Sequence, residues 1–337
     1  MADNFFSIDI GERYTKVVDS KLNANFLEFN SLGKIDTAEA FYTLETEKNI
    51  ETETANINKL IDSLKITKKN VNVIIPSAAT YSQILMMPLL NEKELISAIK
   101  YQADQFIPMP IEETNIDLEI IDEFKDTKKI LVLIVAAPKK IIEKVQNAVE
   151  GAGLIPDSIE NELSASARFV NLFPKQLFTD LQSGIISLNI GGNASNLTYF
   201  ANQSYNLTES HNFSIGYQLF LKEIQINTDS DIKKSTEILA TYDKKANSSF
   251  AVDTIISPLL KDMTIEIQRF VATKKVNHMY LYNQSCLFPG LGDLLAAQTG
   301  IPTSQFDIYG LSKKNPLLDT YKKELALYVS SIGGNFR

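Results

Sequence analysis

One short pattern occurs twice in the chain, 180 positions apart: Ser7-Ile8-Asp9-Ile10-Gly11 lies over Ser187-Leu188-Asn189-Ile190-Gly191, with Thr15 over Ser195 and Val17 over Leu197. In each copy apolar residues alternate with small polar ones and Gly opens a turn. Each copy therefore predicts a strand, a tight turn and a returning strand. A chain that carries this unit twice is constrained towards two equivalent lobes. A glycine turn presents backbone N–H groups that can cradle a phosphate, and a carboxylate entering the turn can hold Mg²⁺ or its waters. Two such hairpins facing each other would clamp a nucleoside triphosphate from both sides. The plain alternative for each is an ordinary β-turn, where Asp and Gly are common.

Composition narrows the function classes. The 337 residues carry 33 Lys+Arg against 41 Asp+Glu, a net charge of −8, so nucleic-acid binding through clustered basic residues is not expected. The hydrophobic share of 44% suits a folded protein rather than a disordered one. The longest uncharged apolar run, Ile130 to Ala137, is far too short to span a bilayer. No basic region followed by an apolar stretch opens the chain, so a secretory signal is not expected either. The single cysteine, Cys286, excludes an intrachain disulfide, and His211 and His278 are too few and too far apart to suggest metal or triad chemistry. A cytoplasmic protein is the expectation.

Further elements follow along the chain. Ile57, Leu60, Ile61 and Leu64 recur at helical spacing, and Val71 to Ile75 is a short strand ended by Pro76. Asn91-Glu92-Lys93-Glu94 is an Asn-x-x-Glu box that starts a helix, with Leu95, Ile99 and Phe106 on one face and Pro108 and Pro110 at its end. Ile116, Leu118 and Ile120 alternate as a half-buried strand, and Ile130 to Ala137 reads as a central one. Ile141, Ile142, Val145, Ala148 and Val149 form a helix stripe stopped at Gly151 and Gly153. Residues 71–153 thus read as a small α+β unit set into a larger frame. Helices are expected near 161–172, 216–226, 231–246, 252–275 and 290–299, a strand at Tyr280 to Tyr282, and a last helix through Leu325, Tyr328, Val329 and Ile332. Asn227 to Ser230 and Asn247 to Ser249 read as loops.

These residues, in this order, resemble the PilM family of type IV pilus assembly proteins, actin-like relatives of the cell-division protein FtsA. The most specific match is Tyr101 to Pro110, continued by Ile111-Glu112-Glu113 and Asn115-Ile116-Asp117. Val132 to Ala137 with Val145 to Pro156, Phe213 to Gly216, Glu266 to Arg269 and Pro289-Gly290-Leu291 extend the resemblance over nearly the whole chain. It implies an α/β, actin-like (ribonuclease H-type) fold of duplicated lobes with an inserted α+β subdomain. The segments expected are 1–70 for the start of lobe one, 71–160 for the insertion, 161–182 for a connecting helix of lobe one, 183–320 for lobe two and 321–337 for a helix returning to lobe one.

The resemblance implies a cytoplasmic scaffold that binds the N-terminal cytoplasmic tail of a PilN-like inner-membrane protein, in a groove between lobe one and the insertion. Ile84, Met86, Pro108, Met109, Ile111 and Asn115 are the expected groove residues. Contact with the assembly ATPase would be indirect. Ser330 to Arg337 is no basic amphipathic anchor, so attachment to the inner membrane would run through partners. A homodimer stays open. ATP with Mg²⁺ is the implied cofactor, held by Asp9, Gly11, Lys16, Asn189, Gly191, Gly192, Asn193, Ser195, Gly216, Glu266, Asn283, Gln284 and Ser285. Lys16 reads either as a solvated strand residue or as a phosphate ligand. Glu266 with Arg269 reads either as a solvated helix face or as a contact to ribose or adenine.

Three departures from the family pattern fall on this pocket. Glu12-Arg13-Tyr14 follows the first Gly in place of small hydroxyl residues, and Glu12 would repel a phosphate unless it points outward. Asn189 stands where an Asp is usual. Asn283-Gln284-Ser285 replaces a glycine run, filling space that glycine leaves empty. A weakened or lost nucleotide site follows, with no metal held by side chains, no residue evident to orient an attacking water, and no efficient hydrolysis. A small-molecule kinase on the same frame and an FtsA- or MreB-type filament protein are the two alternatives.

Overall fold

The computed structural model describes residues 5–44, 46–91, 93–99, 107–180, 182–201, 204–242 and 251–337. The chain opens with β1 (Phe5–Ile10), β2 (Tyr14–Asn23) and β3 (Phe26–Asp36). Helix α1 (Glu47–Leu64) follows, capped by Thr46, whose hydroxyl accepts the Asn49 N–H, and closed by Lys65 in the left-handed region at φ 54°. Strand β4 (Asn70–Ile75) then pairs parallel with β1. Next come β5 (Tyr81–Pro88), α2 (helical over 93–99), β6 (Thr114–Phe124) and β7 (Lys129–Pro138). The expected capping box at α2 is formed reciprocally: Glu94 N–H donates to Asn91 Oδ1 at 3.0 Å and Asn91 N–H to Glu94 Oε2 at 3.1 Å. Phe106 and the rest of 100–106 lie outside the described residues.

Helix α3 (Lys139–Gly151) and β8 (Ile155–Asn161) return to the first sheet, and α4 (Glu162–Leu172) and the short α5 (Pro174–Leu177) lead to the second half. There the pattern repeats: β9 (Gly184–Ile190), β10 (Ser195–Phe200), β11 (Leu207–Phe213), helices α6 (Tyr217–Thr228), α7 (Ile232–Ala240) and α8 (Val252–Val271), then β12 (Val276–Asn283), α9 (Leu291–Thr299) and β13 (Thr303–Gln305). Helices α10 (Pro316–Tyr321) and α11 (Val329–Gly334) end the chain. The helix expected over 231–246 ends earlier, at Ala240 with Thr241 as its C-cap, and the expected Asn247–Ser249 loop falls outside the described residues.

The two five-stranded sheets have the same order, β3-β2-β1-β4-β8 and β11-β10-β9-β12-β13. The hairpins also match residue for residue. Ile10 faces Thr15 as Ile190 faces Ser195, and the turns close identically, Gly11 N–H on Tyr14 O at 3.1 Å and Gly191 N–H on Ala194 O at 3.0 Å. Equal offsets of apolar and turn residues dictate equal registers, because a one-residue slip would turn every core side chain to solvent.

The inserted unit is smaller than the 71–160 segment read from the sequence. Its own sheet has three antiparallel strands, β5-β7-β6, within residues 81–138. Strands β4 and β8 pair with each other in the first lobe's sheet, and α3 packs on α1. Parallel pairing joins strands distant in sequence, so proximity along the chain misassigned them. One core cluster fills lobe one (Phe6, Ile8, Val73, Val145) and another lobe two (Ile186, Phe220, Ile256, Leu295). A third joins both, with Phe169, Phe173 and Tyr328 packed among Leu27, Phe200 and Tyr282. Helix α11 lies across α4 and against β1.

Candidate functional site

The two hairpin turns face each other across a cleft of about 310 Å³ between the lobes. Lobe one contributes Gly11 to Tyr14, Lys16, the 76–81 turn and Glu162; lobe two contributes Asn189, Gly191, Gly192, Ala194, Ser195, Asn196, Asn212, Asn283 and Gln284. Eight of the residues singled out from the sequence line this cleft: Gly11, Lys16, Asn189, Gly191, Gly192, Ser195, Asn283 and Gln284.

The others take different places. Asp9 is buried behind the first turn, paired with the equally buried Lys16 at 2.7 Å, and Ser331 Oγ reaches its Oδ2 at 3.3 Å. The pairing follows from β1–β2 register, in which Asp9 sits opposite Lys16. Lys16 is thus not a solvated strand residue: its ammonium is committed to a carboxylate at the cleft wall. Gly216 packs under the second turn and caps α6, whose first N–H groups, from Tyr217 and Gln218, donate to the carbonyls of Gly191 and Gly192 at 2.9 Å each. Ser285 is fully buried and donates to Tyr282 O at 3.1 Å. Glu266 does not line the cleft; its carboxylate meets His211 at 2.8 Å and Arg269 at 3.6 Å.

Asn283 carries the backbone of the residue it replaces. Its φ of 62° and ψ of −132° lie where glycine is at home and an L side chain is strained. The side chain amide bridges the lobes: Nδ2 donates to Glu162 Oε1 at 2.8 Å and to Asn189 Oδ1 at 2.9 Å. Glu162 is the residue the sequence reading passed over. It opens α4 directly after the Asn161 cap, a surface-like pattern in sequence, yet it is buried at the cleft. Burial, and then repulsion from Asp9, pushes its carboxyl up to about 7, against the pull of Lys16 and of hydrogen bonds from Asn189 and the Ser77 N–H.

Glu12 points neither outward nor into the phosphate space of its own turn. Its carboxylate crosses the cleft, where Oε2 accepts the N–H groups of Gly192 and Asn193 at 2.9 and 3.0 Å and Oε1 accepts Asn193 Nδ2 at 2.6 Å. Among the described residues no group of three or more His, Cys, Asp and Glu side chains is placed to hold a metal ion.

A second cavity, about 400 Å³, lies between the inserted sheet and lobe one. Its floor is apolar, from Ile75, Val135, Ala137, Ile142 and Ile159. One wall is the 115–119 stretch of β6, an edge strand; the other carries Ser164 and Arg168 of α4, with Arg337. Arg168 forks onto Glu160 at 3.1 and 2.8 Å and also donates to Gly333 O at 2.9 Å. Of the six expected groove residues only Asn115 lines this cavity. Ile84 and Met86 lie on β5, the opposite edge of the sheet, where Ile84 packs on the interlobe core and Met86 is exposed. Met109 and Ile111 pack around Ile107 and Ala136, and Pro108 is exposed.

Duplicated sheets closing on a shared cleft define the actin-like class of two-lobed proteins. Within it, the chain belongs to the family of type IV pilus assembly protein PilM, whose profile it matches over residues 7–322. The fold is similar to that in the PilM–PilN type IV pilus biogenesis complex, with a TM-score of 0.84 at 18% identity over 99% of this chain and 98% of that one. It is also similar to the ethanolamine utilization protein EutJ from Carboxydothermus hydrogenoformans (TM-score 0.56, 10% identity, 98% and 88% covered). MreB 5 of Spiroplasma citri, solved with AMPPNP, is a further match (TM-score 0.53, 12% identity, 98% and 95% covered).

Proposed function

We propose that this chain is a cytoplasmic docking scaffold of a type IV pilus assembly platform, and that its groove beside β6 takes the extended N-terminal tail of a PilN-like inner-membrane protein. One observation supports this above the rest: among the described residues β6 is the edge of its sheet, and its 115–119 stretch runs along a cavity with an apolar floor. An extended peptide there can add main-chain hydrogen bonds to the edge while alternate side chains enter the floor. The usable edge is short. A register shift falls between Ile120 and Asp122, and Asn206 of lobe two donates to Ile121 O at 3.3 Å, closing the far end. Asp117 and Glu119, both exposed, give the rim a negative charge that suits the Lys and Arg found on cytoplasmic flanks of membrane spans.

In this reading membrane association runs through the partner; among the described residues no helix is long and apolar enough to cross a bilayer. The assembly ATPase would be reached through the same partner. The interlobe cleft is then a weakened nucleotide site without efficient hydrolysis. The residues present do not fit a magnesium triphosphate: Asp9 is tied to Lys16, Asn189 to Asn283, and the second turn's N–H groups to Glu12.

The test is fluorescence anisotropy with a synthetic N-terminal tail of a PilN-like inner-membrane protein. Saturable binding that weakens about tenfold in Asp117→Lys/Glu119→Lys is expected. A tail that binds no better than about 1 mM, or binds the charge-reversed variant equally well, refutes the groove.

A further inference from the structure

The duplicated turns differ at the three positions after their first glycine, and the first of these sets Glu12 against Gly192. This asymmetry lets one turn plug the other. Successive N–H groups of Gly192 and Asn193 converge on a single oxygen, Glu12 Oε2, at 2.9 and 3.0 Å, while Asn193 Nδ2 holds Oε1 at 2.6 Å. Converging backbone N–H groups of this kind form a nest for an anion. A carboxylate with both oxygens engaged occupies it as a phosphate oxygen pair would. Among the described residues Glu12 makes no salt bridge, and the nearby Lys16 is committed to Asp9 at 2.7 Å. The nest therefore supplies the stabilisation of its charge.

Glycine at position 192 leaves room for this contact without any shift of the Glu12 side chain. A Cβ there would stand 2.9 Å from Glu12 Oε2 and 3.2 Å from Glu12 Cβ. Glu12 belongs to lobe one and the nest to lobe two, so the contact also ties the lobes together across the cleft.

We infer that the second turn is an anion site whose resident ligand is the chain's own Glu12 carboxylate, which latches the lobes closed without nucleotide and competes with any polyphosphate. This deepens the reading of a weakened nucleotide cleft and rests on it. Removing the carboxylate uncovers the nest and frees lobe two to move.

The experiment uses the full chain as wild type, Glu12→Ser, Glu12→Gln and Gly192→Ala. Calorimetric titration with inorganic triphosphate and with Mg-ATP reads the competition, and amide hydrogen exchange at 192 and 193 reads the contact. Glu12→Ser should bind triphosphate at least about tenfold more tightly than wild type, and its two amides should exchange at least about tenfold faster until ligand is added. Glu12→Gln keeps the size and one acceptor and should fall between. Gly192→Ala should speed exchange at 193 without improving triphosphate binding, because its methyl fills the nest. Unchanged exchange in Glu12→Ser overturns the latch, and faster exchange without tighter binding overturns the competition. The same samples are titrated with the partner tail. Absence of tail binding in wild type counts against the scaffold and leaves the latch standing. Sub-micromolar Mg-ATP binding by wild type overturns both the weakened cleft and the plug.

Discussion

Asn283 donates its side-chain amide to Asn189 Oδ1 at 2.9 Å, joining the ends of β12 and β9 at the floor of the cleft while its own backbone sits at φ 62°. Two positions that depart from the family pattern thus compensate each other. An amide at 189 supplies the acceptor that an amide at 283 needs, and Glu162 takes the other hydrogen at 2.8 Å. The backbone strain at 283 is offset by the two buried hydrogen bonds that its amide donates to Asn189 and Glu162.

That relationship predicts an unusual order of stabilities at one position. Asn283→Ala keeps the strain and loses both hydrogen bonds, whereas Asn283→Gly loses the bonds and relieves the strain. The glycine variant should be more stable than the alanine variant by about 1–2 kcal/mol, measured by urea unfolding. Equal midpoints would show that the positive φ carries no strain.

Glu162 sets a pH dependence. Its folded carboxyl titrates near 7, raised from 4.5 mainly by burial. A raised value means that the contribution is present below pH 4.5 and is lost as pH climbs through about 7, where the buried group must ionise. Glu162→Gln mimics the protonated form. Its melting temperature relative to wild type should therefore rise between pH 5 and pH 8, by an amount corresponding to roughly 3 kcal/mol at most. A difference that is flat or falls with pH would contradict the buried acid.

Gly333 marks a close crossing of α11 over α4. A methyl there would overlap the Ala165 carbonyl oxygen of α4 and press on the Phe169 N–H, and backbone cannot yield as a side chain can. Gly333→Ala should cost about 3 kcal/mol or more, lowering the urea midpoint and loosening α11 from β1. Protease sensitivity at the C-terminal segment should increase in parallel. A midpoint within experimental error of wild type would mean that the two helices do not touch as described.

The groove has an ionic signature. If Asp117 and Glu119 attract a basic tail, affinity should fall several-fold between about 0.05 and 0.2 M salt, while the doubly reversed variant should show a flat or inverted dependence. Salt-independent binding would place the recognition wholly in the apolar floor.

Local signals settled much of the architecture. The repeated alternation around Asp9 and Asn189 specified both hairpins and their registers, because which face of a strand is buried depends on residues two apart. The Asn91–Glu94 box and the 57–64 spacing located helices for the same reason: the interactions concerned span one turn of chain. What only the tertiary structure decided lies between distant segments. Strand β4 left the insertion for lobe one's sheet through parallel pairing, and Ile84 and Met86 fell on β5, the sheet edge opposite the one that lines the second cavity. Glu162, which the sequence reading did not single out, lies buried at the cleft, and Glu12 reaches the second turn 180 positions away. Each outcome turns on which distant segments meet once the chain folds, and charge, burial and hydrogen-bond satisfaction at such meetings have no periodicity to read beforehand.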